Sequence, residues 1–250
     1  MYKKPDEMQN VIIFGASGHG SVVLDCLEKE GKYNLIGFVD SYKKKGSIIN
    51  GYEVLGSEFD LPYLINRFNI VGGIVAVGDN WIRKLIVDRI LKIVPNFNFV
   101  NTVHPKSILG KDVLLGCGNV FMPGAIVNAN CTIHDFCIIN TNSSLGHDGL
   151  MESYSSLAPS VCCGGNLYLG QFSAVSLGVN IINGIEIGRH SVIGAGSLVV
   201  ESFGDNIVAY GSPAKIIRKR IIGEPYLSTS KKQSLPSLKN LQEVRSNLSI

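Results

Sequence analysis

A small parallel α/β unit followed by a parallel β-solenoid is the fold class this sequence predicts, on three observations. Short apolar runs in the first hundred residues each end in a Gly- or Asp-bearing turn, and the first and third lead into helical spacing. From Leu109 to Val199 an apolar residue returns at every sixth position. Glycine stands at 28 of 250 residues, an excess that signals many turns or close backbone approaches.

The first run, Val11 to Phe14, ends in Gly15-Ala16-Ser17-Gly18-His19-Gly20 and passes into the helically spaced Ser21 to Leu27. The second, Leu35 to Val39, ends in Asp40, and the third, Gly73 to Val77, ends in Gly78-Asp79-Asn80 ahead of the helical Ile82 to Ile93. This order makes half of a Rossmann-like α/β domain. Glycines at a strand-to-helix turn let backbone N–H groups approach a phosphate, and the helix N-terminus adds partial positive charge. Asp40 follows where an acidic side chain can accept a hydrogen bond from a ribose hydroxyl or a base. The glycine order departs from the dinucleotide fingerprint, and one mononucleotide half is present rather than two, so a nucleotide or nucleotide sugar is expected instead of NAD. The candidate acceptor contacts are Gly15, Ser17, Gly18, His19, Gly20, Asp40, Gly78 and Asn80. The competing reading makes Gly15, Gly18 and Gly20 a structural turn and His19 an exposed loop residue.

The six-residue column runs through Leu109, Leu115, Phe121 and so on to Ile193 and Val199. At 45% apolar composition an unbroken run of that length has a chance probability on the order of 10⁻⁶. Six residues match neither a helix nor a long alternating strand, but they match a short strand plus a turn on one side of a solenoid. Three sides give an eighteen-residue coil and about five coils, with the column facing inward. Cys131, Cys137 and Cys163 then face the interior. His147, between Gly146 and Gly149, is expected at an exposed corner, with the Gly165 backbone N–H one coil further along beside it.

The stretch from about residue 105 to 215 resembles the hexapeptide-repeat acyltransferases, which implies a left-handed parallel β-helix. The wider match joins Gly15-Ala-Ser-Gly-His-Gly-Ser, Phe38-Val-Asp40, Gly78-Asp-Asn80, Asn140-Thr-Asn142, Gly146-His-Asp148 and Gly211-Ser-Pro-Ala-Lys215. It is similar to the bacterial sugar O-acyltransferase family that contains nucleotide-linked 4-amino-sugar N-acetyltransferases and sialic acid O-acetyltransferases. The resemblance implies acetyl-CoA as the donor, His147 as general base and Asp148 as the residue that orients it; acetyl transfer to an amine or hydroxyl needs a base for the nucleophile's proton and a donor for the tetrahedral oxyanion, and the Gly165 N–H is the expected oxyanion donor. It also implies a homotrimer, with the donor running between subunits past Ser156, Gly165, Leu177 and Ala195. Many relatives carry a second histidine where this chain has Ser155-Ser156-Leu157-Ala158-Pro159, which makes Ser156 the candidate replacement contact. Lys215, in the basic run that continues to Arg220, is a candidate for the donor's phosphates; the competing reading is a solvated basic tail.

The expected division is residues 1–103 for the nucleotide-sugar domain, 104–215 for the β-helix and 216–250 for a basic carboxy-terminal segment. In the last, Leu238 to Leu248 reads as a short helix or as tail. A formal charge of +3 gives no global field that selects nucleic acid or an anionic membrane. The polar Met1 to Asn10 and the absence of a long apolar run predict a cytoplasmic protein without a membrane span. The six cysteines lack zinc-site spacing, so no metal is expected, and an acyl-enzyme at Cys162 or Cys163 lacks an activating base. Among functions, N-acetylation of a nucleotide-linked amino sugar for surface glycan leads, O-acetylation of sialic acid or a related sugar comes second, and a non-catalytic nucleotide-sugar scaffold or purely structural solenoid follows.

Overall fold

The computed structural model describes residues 8–227. The Leu238–Leu248 reading lies outside the described residues. The chain opens with β1 (Gln9–Phe14), α1 (Gly18–Glu30), β2 (Tyr33–Val39), β3 (Ile48–Ile49), β4 (Tyr52–Gly56), α2 (Leu61–Phe68), β5 (Ile70–Val75) and α3 (Asn80–Ile93). The sheet order is β3-β4-β2-β1-β5; β1, β2, β4 and β5 run parallel, and β3 pairs antiparallel with β4. The β3–β4 hairpin and α2 lie between the second and third apolar runs. The strand order reverses between β1 and β5, so the crevice beyond their carboxyl ends is where ligands bind in open sheets of this kind. The Gly15–Gly20 turn and the Gly78 turn border that crevice.

The solenoid has three flat faces of two-residue strands. Face I runs from Thr102–Val103 to Val192–Ile193, face II from Ile108–Leu109 to Leu198–Val199, and face III from Leu114–Leu115 to Glu186–Ile187. Within these spans neighbouring strands of a face pair parallel at eighteen residues, for example Ile126 with Ser144 and Ile138 with Ser156. The repeat therefore starts at Thr102, two residues before the expected boundary at 104, because Thr102 already pairs with Val120. It ends in an antiparallel hairpin, Ile207–Gly211 with Ala214–Lys219, which runs past the expected boundary at 215.

Almost the whole inward column is buried, with Leu109 partly so; Leu115 departs, at 37% exposed, because its strand is the first of face III and no coil covers it from below. Cys131, Cys137 and Cys163 are interior. The turns are where sequence pattern and structure part. Every sixth residue from Asp112 to Gly196 adopts a positive φ, including non-glycines such as Asn130, Phe136, Asp148 and Tyr154. The left-handed residue is thus the third after each inward one, and glycine holds it only at Gly118, Gly124, Gly178, Gly184 and Gly196.

Face I carries the α/β unit, which buries its outward Val120, Ile138, Ser156 and Ala174. At the corner from face III to face I, the left-handed residues Phe136, Tyr154, Phe172 and His190 stack as a ladder, with centroids 4.6–5.3 Å apart. Trp81 of α3 packs edge-on against Phe172. Arg83, 1% exposed, clamps the two units together. Its Nε donates to Phe136 O (2.9 Å) and its Nη atoms to Val77 O, Gly78 O, Tyr154 O and Asn80 Oδ1. No helix among the described residues is long and apolar enough to cross a membrane.

Candidate active site

His147 sits at the corner from face II to face III, with its side chain 62% exposed. Its Nδ1 lies 2.6 Å from Asp148 Oδ2, and Asn130 Nδ2 donates to Asp148 Oδ1 at 3.2 Å. Neighbouring side chains normally diverge; they meet here because Asp148 itself takes φ of +57°. Gly146 and Gly149 have no positive φ, and Gly146 admits the Gly164–Gly165 peptide of the next coil. The His147 bond, then Asn130, holds the Asp148 carboxyl below its ordinary range. A carboxylate accepting from Nδ1–H leaves Nε2 as the basic nitrogen. That atom rests on Gly165, where a Cβ would stand 2.5 Å from it.

A cavity of about 570 Å³ lies along face I beneath the α/β unit. Ser17, His19 and Gly78 line one side, and Ser156, Leu177 and Ala195 line the other. Ser17 is the N-cap of α1 yet makes no capping bond, and no acidic residue occupies the first turn, so that helix terminus opens free N–H groups toward the cavity. His19 belongs to the first turn of α1 rather than to a loop. It is largely enclosed, and among the described residues its Nε2 has no hydrogen-bond partner. Burial, then the Arg83 charge, pushes its pKa from 6.5 down to about 4.

Because the folded value lies below the unfolded one, the unfolded chain binds the proton first, and stability falls as pH drops from about 6.5 towards 4. We expect that loss to reach about 2 kcal/mol by pH 4.5. Urea denaturation at pH 7 and pH 4.5, on the wild type and a His19→Gln variant, checks it: the variant should lose less by that amount.

Several expected contacts serve the fold instead. Gly20 is buried and lets the Gly15 carbonyl close on its Cα, so α1 can pack against the turn. Gly15 N–H bonds Val39 O at 2.9 Å. Asp40 accepts from the backbone N–H groups of Ala16, Tyr42 and Lys43. Asn80, 1% exposed, turns away from the cavity: its amide donates to Ser173 O at 3.0 Å and accepts from Arg83. Gly18 stands exposed at the start of α1. Lys215 does not line the cavity; it stands exposed and pairs with Glu201 at 2.8 Å, while Arg218 pairs with Glu224 and Arg220 donates to His190 O. Cys163 is inert, since burial pushes its thiol upward. No cluster of metal-ligating side chains occurs among the described residues.

The structure does not bring His147 and the cavity together within one chain, since they occupy different corners of the prism. Missed by sequence reasoning are Arg83, Tyr226 and Leu227. Arg83 had a signal, because it shares the inward stripe of α3 with Val87 and Ile90.

Residues 10–90 match the PglD N-terminal domain family. The chain is 29% identical over 192 residues to GDP-perosamine N-acetyltransferase of Escherichia coli O157:H7, covering 74% of this chain and 82% of that protein. Perosamine N-acetyltransferase from Caulobacter crescentus, solved with CoA and GDP-perosamine, superposes with TM-score 0.77 at 31% identity over 83% of this chain and 96% of its own. The acetyltransferase domain of PglB from Neisseria gonorrhoeae, solved with acetyl coenzyme A, gives 0.75 at 28% over 84% and 100%. These likenesses make the solenoid a left-handed β-helix.

Proposed function

The chain belongs to the hexapeptide-repeat acyltransferases, in the group that holds the nucleotide-sugar N-acetyltransferases, and is an acetyl-CoA-dependent sugar acetyltransferase; we propose that it acetylates the amine, at C4, of a nucleotide-linked sugar with His147 as general base. The observation that carries the base assignment is the Asp148-held Nδ1, which leaves Nε2 facing outward over Gly165.

In this reading the uncapped start of α1 and the Gly78 turn hold the diphosphate end of the acceptor, with Ser17 and the neutral His19 as hydrogen-bond partners. The amine nitrogen attacks the thioester carbonyl of acetyl-CoA while His147 Nε2 takes its proton. The tetrahedral oxyanion forms beside Gly165, whose N–H is the donor we assign to it. Collapse breaks the C–S bond, and the imidazolium returns the proton to the leaving thiolate.

Because the cavity and His147 occupy different corners, a second copy must supply the imidazole. Apolar side chains left outward on faces II and III, among them Ile108, Ile126, Leu198 and Leu114, support an assembly that covers them, which we take to be a homotrimer. We place the reaction in the cytoplasm, in the building of surface glycan.

A CoA-release assay against UDP-, GDP- and dTDP-linked 4-amino sugars, beside free sialic acid, tests the reading. Release is expected with at least one nucleotide-linked amine and none with sialic acid. The reverse pattern makes the protein an O-acetyltransferase, and binding without release under every acceptor makes it a scaffold.

A further inference from the structure

The residues after the terminal hairpin were unreadable in the sequence, yet the structure gives Ile221–Leu227 a built position. Arg218 grips Glu224 through two bonds, of 3.0 and 2.7 Å, and the Ile221 N–H donates to the same carboxylate. Arg220, 7% exposed, donates to His190 O at 3.0 Å and to Glu224 O, and its guanidinium lies over the Tyr226 ring. Gly223 lies so close to the Trp81 indole that a Cβ would come within 2.7 Å of its Nε1.

This anchored segment delivers Tyr226 and Leu227 to the cavity wall. The Tyr226 hydroxyl donates to Gly78 O at 3.0 Å and accepts from the Asn80 N–H at 3.3 Å, at the start of α3. Leu227 covers Gly78 closely enough that a Cβ there would sit 3.2 Å from Leu227 Cδ1. With both side chains in place the cavity still measures about 570 Å³, inside the range of ligand pockets, so the segment walls the space rather than filling it.

We propose that Ile221–Leu227 is a fixed strap that shapes the acceptor half of this site, with Tyr226 its specificity-determining residue. The proposal rests on the acceptor reading given above. Tyr226 ties the strap to the Gly78 turn, fixing the turn expected to meet the diphosphate end, and its ring with Leu227 bounds the room left for the sugar. Removing that wall weakens a fitting acceptor and admits larger ones, while the donor, expected along Ser156, Leu177 and Ala195 on the far side of the same cavity, keeps those contacts.

Calorimetric titration with UDP, GDP and their amino-sugar conjugates, on the wild type and on Tyr226→Ala, Tyr226→Phe and Glu224→Ala, tests it. The alanine at 226 should weaken the best-bound conjugate about tenfold, phenylalanine about threefold, and Glu224→Ala should follow the first by releasing the strap from outside the cavity. The acetyl-CoA KM should stay within about threefold throughout. Equal affinities in the wild type and in folded variants, or a rise confined to the acetyl-CoA KM, overturn the strap. Binding that responds to Tyr226 without any acetyl transfer removes the reaction and leaves the strap; no nucleotide binding by the wild type removes both.

Discussion

Replacing His147 with alanine lowers kcat by about 10²–10⁴-fold, the span expected for loss of a positioned general base. Acetyl-CoA binding should stay nearly unchanged, because the imidazole is exposed at a corner and packs on little besides Gly165. The bond from Nδ1 to Asp148 makes a second variant informative: in Asp148→Asn the amide can turn its NH₂ toward the ring and stabilise the wrong tautomer, with the proton on Nε2. Gly165→Ala reaches the same atom sterically, since the new methyl would meet Nε2 at 2.5 Å, and a displacement of about an ångström costs about 10² in rate. Steady-state kinetics across pH 6 to 9 separate the cases. Full turnover in His147→Ala with normal KM values would show that the amine needs no base from this chain, and the mechanism would fall.

Arg83→Met destabilises the fold by about 3 kcal/mol or more, because five acceptor oxygens lose an Arg83 bond at once and, among the described residues, only Gly78 O keeps another donor, the Tyr226 hydroxyl. Four of those oxygens are main-chain carbonyls, two from the turn after β5 and two from the solenoid corner, so the substitution loosens the seam between the two halves of the molecule. Arg83→Lys is no rescue, as an ammonium has three donors and no planar fork. Thermal unfolding should shift by about 10 °C, with transitions separating if the halves melt apart. A Met variant as stable as the wild type would mean that the carbonyls find other partners and that the clamp is not needed.

The solenoid was legible because its cause is local and periodic: one inward side chain per six residues, repeated until chance is excluded. The corner position of His147 was legible from the same period, since it falls two residues after the inward Leu145 and between two glycines. What the sequence concealed are contacts with no period. Arg83 meets Phe136 and Tyr154, and Tyr226 meets Gly78, across separations of 53 to 148 residues. The packing role of Asn80 is hidden for a related reason. Next to a glycine turn it resembles a ligand residue, and only the packing of α3 against Ser173 shows its amide already used. Gly20 shows the same ambiguity, since a missing side chain serves a phosphate or a neighbouring carbonyl equally well, and here the carbonyl of Gly15 takes the space.

The eighteen-residue spacing within the solenoid faces has a bearing on how such chains can vary in length. Adding or removing one whole circuit keeps each column in line, whereas a partial circuit wound into the coil between Asp148 and Ser156 would rotate everything downstream about the prism axis. Growth of this architecture is therefore quantised, and loops bulging outward at the corners are the remaining freedom open to drift.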